Sequence, residues 1–456
     1  MIPVKSEIRS PKSEVQSTKY KFMLRLILLL LMPCLVLGQT SKHLTLDEAI
    51  KLGLDASKQL KASNTKIDLA KVKLLQYKYA TIPAINASVG YSRISDNIDL
   101  FKLNLPNLGE FVLNPQILNQ FTNKLSVSQL LYAGGRAVNT LQSGEFLQKA
   151  AELDYTKDQA DIRLNIINAC YNLYKLQETN SLLNENISVF KGRLADITNY
   201  VKQGTAIEND ALRAQLAVST VETTKAEVEN GIAVSNYNLA IMLGLPETIT
   251  FELDKNSMTD DKAVAALESY LQSAPTARPD IQAADWRQKA VAKSLDIAKG
   301  NNLPIITAGA NLNYSDPNQR VFPVQDAFKA TWDVGVTVSY NFANLFSNKF
   351  NVQEAQVNIA QTNLLREQLT DGAKMEVNAA WYAYQTALKK VTLNDRTIEQ
   401  ATENQRVMKK RYENQVAIIG ELLDADFLVT QAKINQISAK ADANNAYYKL
   451  LKVSGK

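Results

Sequence analysis

The chain of 456 residues contains one histidine, His43. Histidine is the usual general acid or base near neutral pH and a frequent zinc ligand. A histidine-based triad and a His-rich metal site are therefore both unavailable. Cysteine is almost as scarce, with Cys34 inside an N-terminal apolar run and Cys170 alone beyond it. A chain cut after that run has no internal disulfide, even in an oxidising compartment. No phosphate-cradling G-x-x-x-x-G-K-[ST] loop is present. Carboxylate pairs occur, but none falls in a stretch that reads as a cleft. These absences predict a protein that is not an enzyme and holds no cofactor. Excess charge is missing too. The formal net charge is +5, and residues 1–38 hold six Lys or Arg against two acids, so about +1 remains without them. That balance gives no electrostatic case for nucleic acid.

The one strongly apolar run is residues 24–37, LRLILLLLMPCLVL, too short to span a bilayer comfortably. Val36-Leu37-Gly38 follows before Gln39, so the pattern predicts a secretory signal peptide over 1–38, cleaved after Gly38. Residues 1–22 are polar and outside the usual signal layout, which makes Met23 the expected start. Cys34 is a weak lipidation candidate, because Pro33 stands where such sites want a small residue.

What the chain does have is an internal duplication. Shifting Val201–Gln215, VKQGTAIENDALRAQ, by 211 places it on Tyr412–Asp426, YENQVAIIGELLDAD. Ala206 falls on Ala417, Ile207 on Ile418, Asp210 on Glu421 and Leu212 on Leu423. Each copy lies between long helical patterns and holds a glycine (Gly204; Gly420) with β-branched residues, so each reads as the tip of a helical hairpin with a carboxylate just past the bend. After the tips, Ala214, Val218, Val221, Val228, Ile232, Leu239 and Met242 match Ala425, Val429, Ala432, Ala439, Ala443, Leu450 and Val453. Their 3.5-residue spacing marks a coiled-coil seam. Upstream the shift becomes 221: Pro83 falls on Pro304, Ile85 on Ile306 and Leu60 on Ile281. The ten extra residues predict one longer loop between Tyr91 and Leu125. Two copies of a whole unit follow.

Four segments alternate with period two: Ile85–Ser92, Asn123–Leu131, Ile306–Tyr314 and Trp332–Phe342. In the last, Trp332, Val334, Val336, Val338, Tyr340 and Phe342 oppose Asp333, Gly335, Thr337, Ser339 and Asn341. About nine to eleven residues of such alternation, with aromatics near the ends, is the pattern of a membrane β-barrel. A soluble half-buried sheet is the plainer alternative; the signal peptide and the polar, mostly uncharged inner face favour the barrel. Four strands cannot close in lipid without leaving unpaired backbone groups, so other chains must complete the wall. Three chains supply twelve strands, enough for a water-filled lumen.

Pro83 and Pro304 each end a helical pattern and open a strand, and Gly134-Gly135 release a helix after the second strand. From Val138 to Val201 the helical pattern is nearly unbroken, on the order of 95 Å at 1.5 Å per residue. Its seam reads Phe146, Ala150, Leu153, Ala160, Leu164, Ile167, Tyr171 and Tyr174, then Leu183, Ile187, Phe190, Leu194 and Ile197. A return limb runs from Ala211 to Leu243 and stops at Gly244-Leu-Pro246, followed by a short strand candidate, Thr248–Leu253. Asp280–Asn302 climbs back, as Leu44–Ala80 does in the first half. The organisation expected is a signal peptide over 1–38, a first repeat over 39–250, a connector over 251–278 and a second repeat over 279–456.

With the duplicated helix–strand–strand–helix unit, LYAGGR at Leu131–Arg136 and paired tips ending in D/E-x-L-x-A, the chain resembles the TolC-like outer-membrane efflux proteins. The resemblance implies a mainly α protein with a membrane β-barrel: a homotrimer whose 12-stranded outer-membrane barrel continues into a periplasmic α-helical tunnel. It implies an exit duct for a tripartite efflux pump or a type I secretion system, partnered by a periplasmic adaptor and an inner-membrane transporter. It places Glu421 and Asp424 in an acidic ring at the narrow periplasmic end, with Tyr412 just before the bend and Asp210 as the first-tip acid. Gly204, Thr205, Gln415 and Val416 become the adaptor-contacting tips. Two departures stand out at the second tip. Gln415 replaces a usual glycine, and Ile418 stands where some members carry a gate-locking arginine, which argues against a salt-bridge lock. The second strand-to-helix junction, Phe342–Phe346, also lacks the double glycine.

Each of these residues has a plainer role. Glu421 and Asp424 suit a helix start through the dipole alone. Gly204 suits a turn, Tyr412 suits packing, and Cys170 suits a small buried apolar position. Two other architectures compete. A trimeric adhesin of the autotransporter type also builds twelve strands from three chains, but it needs four consecutive C-terminal strands. A soluble periplasmic adaptor needs a lipoyl-like hairpin that is missing.

Overall fold

The computed structural model describes residues 41–97, 102–112, 116–258 and 264–456. The expected signal peptide, with Met23 and Cys34, lies outside the described residues. The duplication is visible in the element bounds. Helix α1 (Leu46–Ala56) is followed by α2 (Lys58–Tyr79), and in the second half, past the four-residue α5 (Lys255–Met258), α6 (Leu267–Ala277) is followed by α7 (Pro279–Gly300). Both pairs coincide residue for residue under the 221 shift. Helix α3 (Arg136–Lys202) leads to α4 (Glu208–Leu243), and α8 (Asn344–Glu413) leads to α9 (Ile419–Ser454). Helices α4 and α9 are each 36 residues long and coincide under the 211 shift.

The change of shift falls between the strands. Strand β2 (Ala84–Arg93) reaches β5 (Asn119–Ala133) through a connection holding a small hairpin, β3 (Lys102–Leu105) and β4 (Gly109–Val112). That hairpin turns at Asn107, whose φ is 73°. Its counterpart, between β7 (Ile305–Asp316) and β8 (Lys329–Ser339), is shorter. The sequence located the longer loop but missed the hairpin, whose four-residue strands are too brief to show a period. The strand predicted to reach Phe342 ends at Ser339, because Asn341 starts the turn into α8.

The four long strands form one antiparallel sheet in the order β2-β5-β7-β8, so β5 and β7 join the two repeats and β2 and β8 are bare edges. The register lines up rows across all four strands. Ala87, Leu125, Leu312 and Trp332 form one apolar row, and Asn86, Ser126, Asn311 and Asp333 form the polar row beside it. The apolar face is bare, with Val89 85% and Val334 73% exposed. At the end far from the helices Tyr91, Phe121, Tyr314 and Phe328 make a chain of ring contacts 4.9–5.8 Å apart. Tyr340 and Phe342 pair at the helical end, 4.9 Å apart. A bare apolar band between two aromatic belts suits lipid, since a water-facing sheet of this composition would expose a large patch.

Different chemistry turns strand into helix in the two repeats. Gly134 and Gly135 have φ of 64° and 75°, and Gly134 lies so near Gly300 that neither tolerates a Cβ. In the second repeat Asn341 does the turning: its Oδ1 accepts from the Ala343 N–H at 3.0 Å. This side-chain turn removes the need for glycine.

Helices α3 and α8 have 67 and 70 residues, about 100 Å each at 1.5 Å per residue. No single core serves such a rod; three clusters do. The middle one gathers Leu44, Ile166, Tyr171, Leu239 and Phe251 around a parallel ladder of β1 (Ser41–Leu44) and β6 (Thr250–Leu253). The second joins α6, α8 and α9 through Tyr270, Val377 and Leu450. The third lies at the tips. Seam residues Ala150, Ile167, Tyr171, Leu183, Phe190 and Ile197 are buried as predicted, whereas Ala160 and Leu164 are only half-buried and Ile162, Ile166 and Leu173 are buried besides. That stretch of α3 packs against the ladder as well as against its neighbouring helices, so a single-seam pattern misreads it.

Candidate functional site at the hairpin tips

Both hairpins end alike. Helix α3 is capped by Gln203, after which Gly204 turns left-handed at φ 72°. The Gly204 N–H donates to the Val201 carbonyl at 3.0 Å and the Thr205 N–H to that of Tyr200 at 2.9 Å. Helix α8 is capped by Asn414, and Gln415 turns left-handed at φ 59°. Its N–H donates to the Tyr412 carbonyl at 2.9 Å, and the Val416 N–H to that of Arg411 at 2.8 Å. This pair of bonds is the Schellman closure of a helix end. Position 415, a glutamine, thus carries the conformation that glycine carries at 204. Gly420, expected in the bend, instead lies inside α9; a short glycine-bearing segment does not itself show which residue turns the chain.

Ile207 and Ile418 are the extended residues that start α4 and α9, and neither side chain caps its helix. Both are exposed, as is Val416, so the tips are apolar where Ser or Asp would be usual. Asp210 and Glu421 occupy the same place in the first turn of their helices, where a carboxylate suits the positive helix end. Glu421 and Asp424 are exposed, and Asp210 is half-exposed. Asp424 borders a cleft of about 490 Å³ between the hairpins, lined also by Leu183, Thr220, Val221 and Phe427.

The fold brings the two tips side by side. Ile197, Ala214 and Val218 of the first hairpin pack with Ile419, Leu422 and Leu423 of the second, and Tyr412 and Met408 close the edge. Burial raises the Tyr412 phenol above its ordinary pKa, helped by nearby Tyr200, Asp210 and Asp196 and opposed by Arg193. Tyr412 is therefore a packed residue set among first-hairpin charges. Gly204, Thr205, Gln415 and Val416 are all exposed at the ends of the rod.

Sequence reasoning missed Asp426. Its side chain is only 2% exposed. One carboxylate oxygen accepts from Gln405 Nε2 at 2.7 Å, and the other from Arg193 Nε at 3.4 Å. A single buried charge thus ties α3, α8 and α9 together just above the tips. Gln215 and Asn404 stand at the shifted positions of Asp426 and Arg193, so this link between the repeats has no charged counterpart under the duplication. Arg213 of α4 lies over Gly420, next to the start of α9. No local spacing announces either contact.

A model of the outer membrane efflux protein family matches residues 49–245 and 270–456. The chain belongs to that family. Outer membrane proteins of known structure share its fold across most of its length. The CmeC outer membrane channel of Campylobacter jejuni is 17% identical, with a TM-score of 0.71 and coverage of 90% of this chain and 85% of that one. VceC of Vibrio cholerae is 16% identical with a TM-score of 0.72, covering 90% and 96%. The MtrE outer membrane channel of Neisseria gonorrhoeae, described in its open state, is 16% identical with a TM-score of 0.74, covering 90% and 89%. No curated protein sequence matches the chain. The efflux protein resides in the outer membrane, and its long helical portion is periplasmic. The adhesin alternative falls with these findings. The strands come in two pairs separated by a long hairpin, not as four consecutive strands.

Proposed function

We propose that three copies of this chain close a 12-stranded barrel and form a passive, non-enzymatic exit duct for a tripartite efflux pump or a type I secretion system. The observation that carries this reading is the pair of bare edges, β2 and β8, on a sheet whose apolar face suits lipid. Unpaired edges in a bilayer cost several kcal/mol per backbone group, so β8 of one protomer pairs with β2 of the next. The helices beside those edges support the same contact. Helix α2 runs into β2 with Leu69, Val72, Leu75 and Tyr79 exposed, and α8 leaves β8 with Phe346, Phe350, Val357 and Leu364 exposed. Pairing the edges lays these two stripes against each other.

In the trimer the tips converge at the periplasmic mouth. Glu421 and Asp424, one pair per chain, ring that mouth with six carboxylates, and Asp210 stands behind them. Opening separates the second hairpin from the first, with Tyr412 packing as the barrier in place of a salt bridge at Ile418. The exposed tips, Gly204 and Thr205 on one side and Gln415 and Val416 on the other, meet the periplasmic adaptor that links the duct to its inner-membrane transporter.

The test is electrical. Clustered carboxylates in a narrow pore concentrate multivalent cations. Trimers in a planar bilayer are expected to be blocked by millimolar divalent or trivalent cations added on the tip side. Glu421→Gln with Asp424→Asn is expected to remove the block and leave trimer stability nearly unchanged. Block that persists in this double variant would place the two acids outside the pore.

A further inference from the structure

The polar face of the sheet is not evenly uncharged. Asp333 is its one acid on the four strands, and it is already neutralised. Asn311 Nδ2 donates to it at 2.7 Å, and Arg320, reaching in from the β7–β8 connection, donates at 2.6 Å. Two lysines share this face. Lys124 lies in the row of Ser88, Asn313 and Thr331, and Lys329 lies opposite Ser315 one row further out. Phe328, the residue before Lys329, stacks with Tyr314 on the apolar side, which fixes Lys329 on the polar one. Neither lysine forms a direct ion pair among the described residues, although Lys124 lies near enough to Asp333 to act on its charge through space. The remaining inward positions of these strands hold Asn, Gln, Ser, Thr, Gly and apolar side chains. Both lysines lie in the half of the barrel away from the helices, since β7 enters the sheet from α7 at Ile305 and ends at Asp316.

We infer that Lys124 and Lys329 form a basic collar in the outer half of the barrel that binds multivalent anions such as phosphate or carboxylate clusters. This rests on the trimeric duct proposed above, because only a closed barrel turns the polar face into a lumen. Two unpaired ammoniums per chain become six in a trimer. Arg320 and Asp333 together add no net charge, so the net charge of this face is that of its lysines. Rings of lysine or arginine are the side chains that favour anions in pores, and low-dielectric walls focus their field along the axis. Six like charges facing one lumen also repel one another, and a multivalent anion relieves that repulsion. The duct then runs from an acidic mouth to a basic exit, and the two ends attract opposite ions.

The experiment uses the full trimer in a bilayer of zwitterionic lipid, so that no anionic headgroup competes. The helical rod cannot cross the membrane, so the barrel side is known. Tripolyphosphate added on the barrel side is expected to block the current at concentrations where chloride does not. Lys124→Gln with Lys329→Gln is expected to raise the half-blocking concentration on the order of tenfold. Lys124→Arg with Lys329→Arg retains charge and is expected to retain block, which separates a charge effect from a loss of assembly. Block by trivalent cations from the tip side should be the same in all three proteins. Wild-type channels that show the tip-side block but ignore tripolyphosphate overturn the collar and leave the duct standing. Unchanged tripolyphosphate block in the glutamine variant also overturns it. A chain that forms no conducting channel removes both readings together.

Discussion

At position 415 a glutamine holds φ 59°, where the first tip has Gly204 at 72°. A left-handed conformation costs an ordinary L-residue roughly 1–2 kcal/mol, while glycine loses about 0.5–1 kcal/mol more chain entropy on folding. The difference predicts that Gln415→Gly stabilises the second tip by about 0.5–1 kcal/mol, whereas Gly204→Gln weakens the first by a similar amount. Thermal melts of the two variants check this, and a loss of stability in both would mean that Gln415 makes a compensating contact. The sequence shows that this position is unusual, since the 211 shift sets Gln415 directly on Gly204. It does not show that Gln415 keeps the left-handed turn, because the neighbouring Gly420 was an equally plausible pivot. Asp426 was not legible at all. Its partner Arg193 is 233 residues away, and only the side-by-side packing of two hairpins brings the pair together.

Elements were far easier to read than contacts. Helices of 67 and 70 residues declare themselves through sustained periodicity, and duplication lets each repeat check the other. Four-residue strands such as β3 and β4 contain too few positions for a period to emerge. The alternation of β8 leads to a direct prediction. Val336 is 65% exposed on the apolar face, and Thr337 is its neighbour on the polar face. Val336→Arg is expected to cost roughly 2–4 kcal/mol per chain at mid-bilayer and to prevent stable assembly in outer-membrane fractions. Thr337→Arg puts the same charge in the lumen and is expected to assemble. Equal damage from the two would mean that the alternation has been misread or that these strands do not face lipid.

For the molecule as a whole, the fold of one chain is incomplete. A four-stranded sheet with two bare edges and a lipid-like face cannot persist alone in a bilayer, and the bare stripes on α2 and α8 lie beside those edges. The proposed duct, with the acidic mouth and basic exit inferred for it, depends on closure by neighbouring copies. The mass of the detergent-extracted protein tests this most directly. A particle of three chains, with the β-sheet signature intact, is the predicted result. A stable single chain that keeps the same β-sheet signature would contradict it.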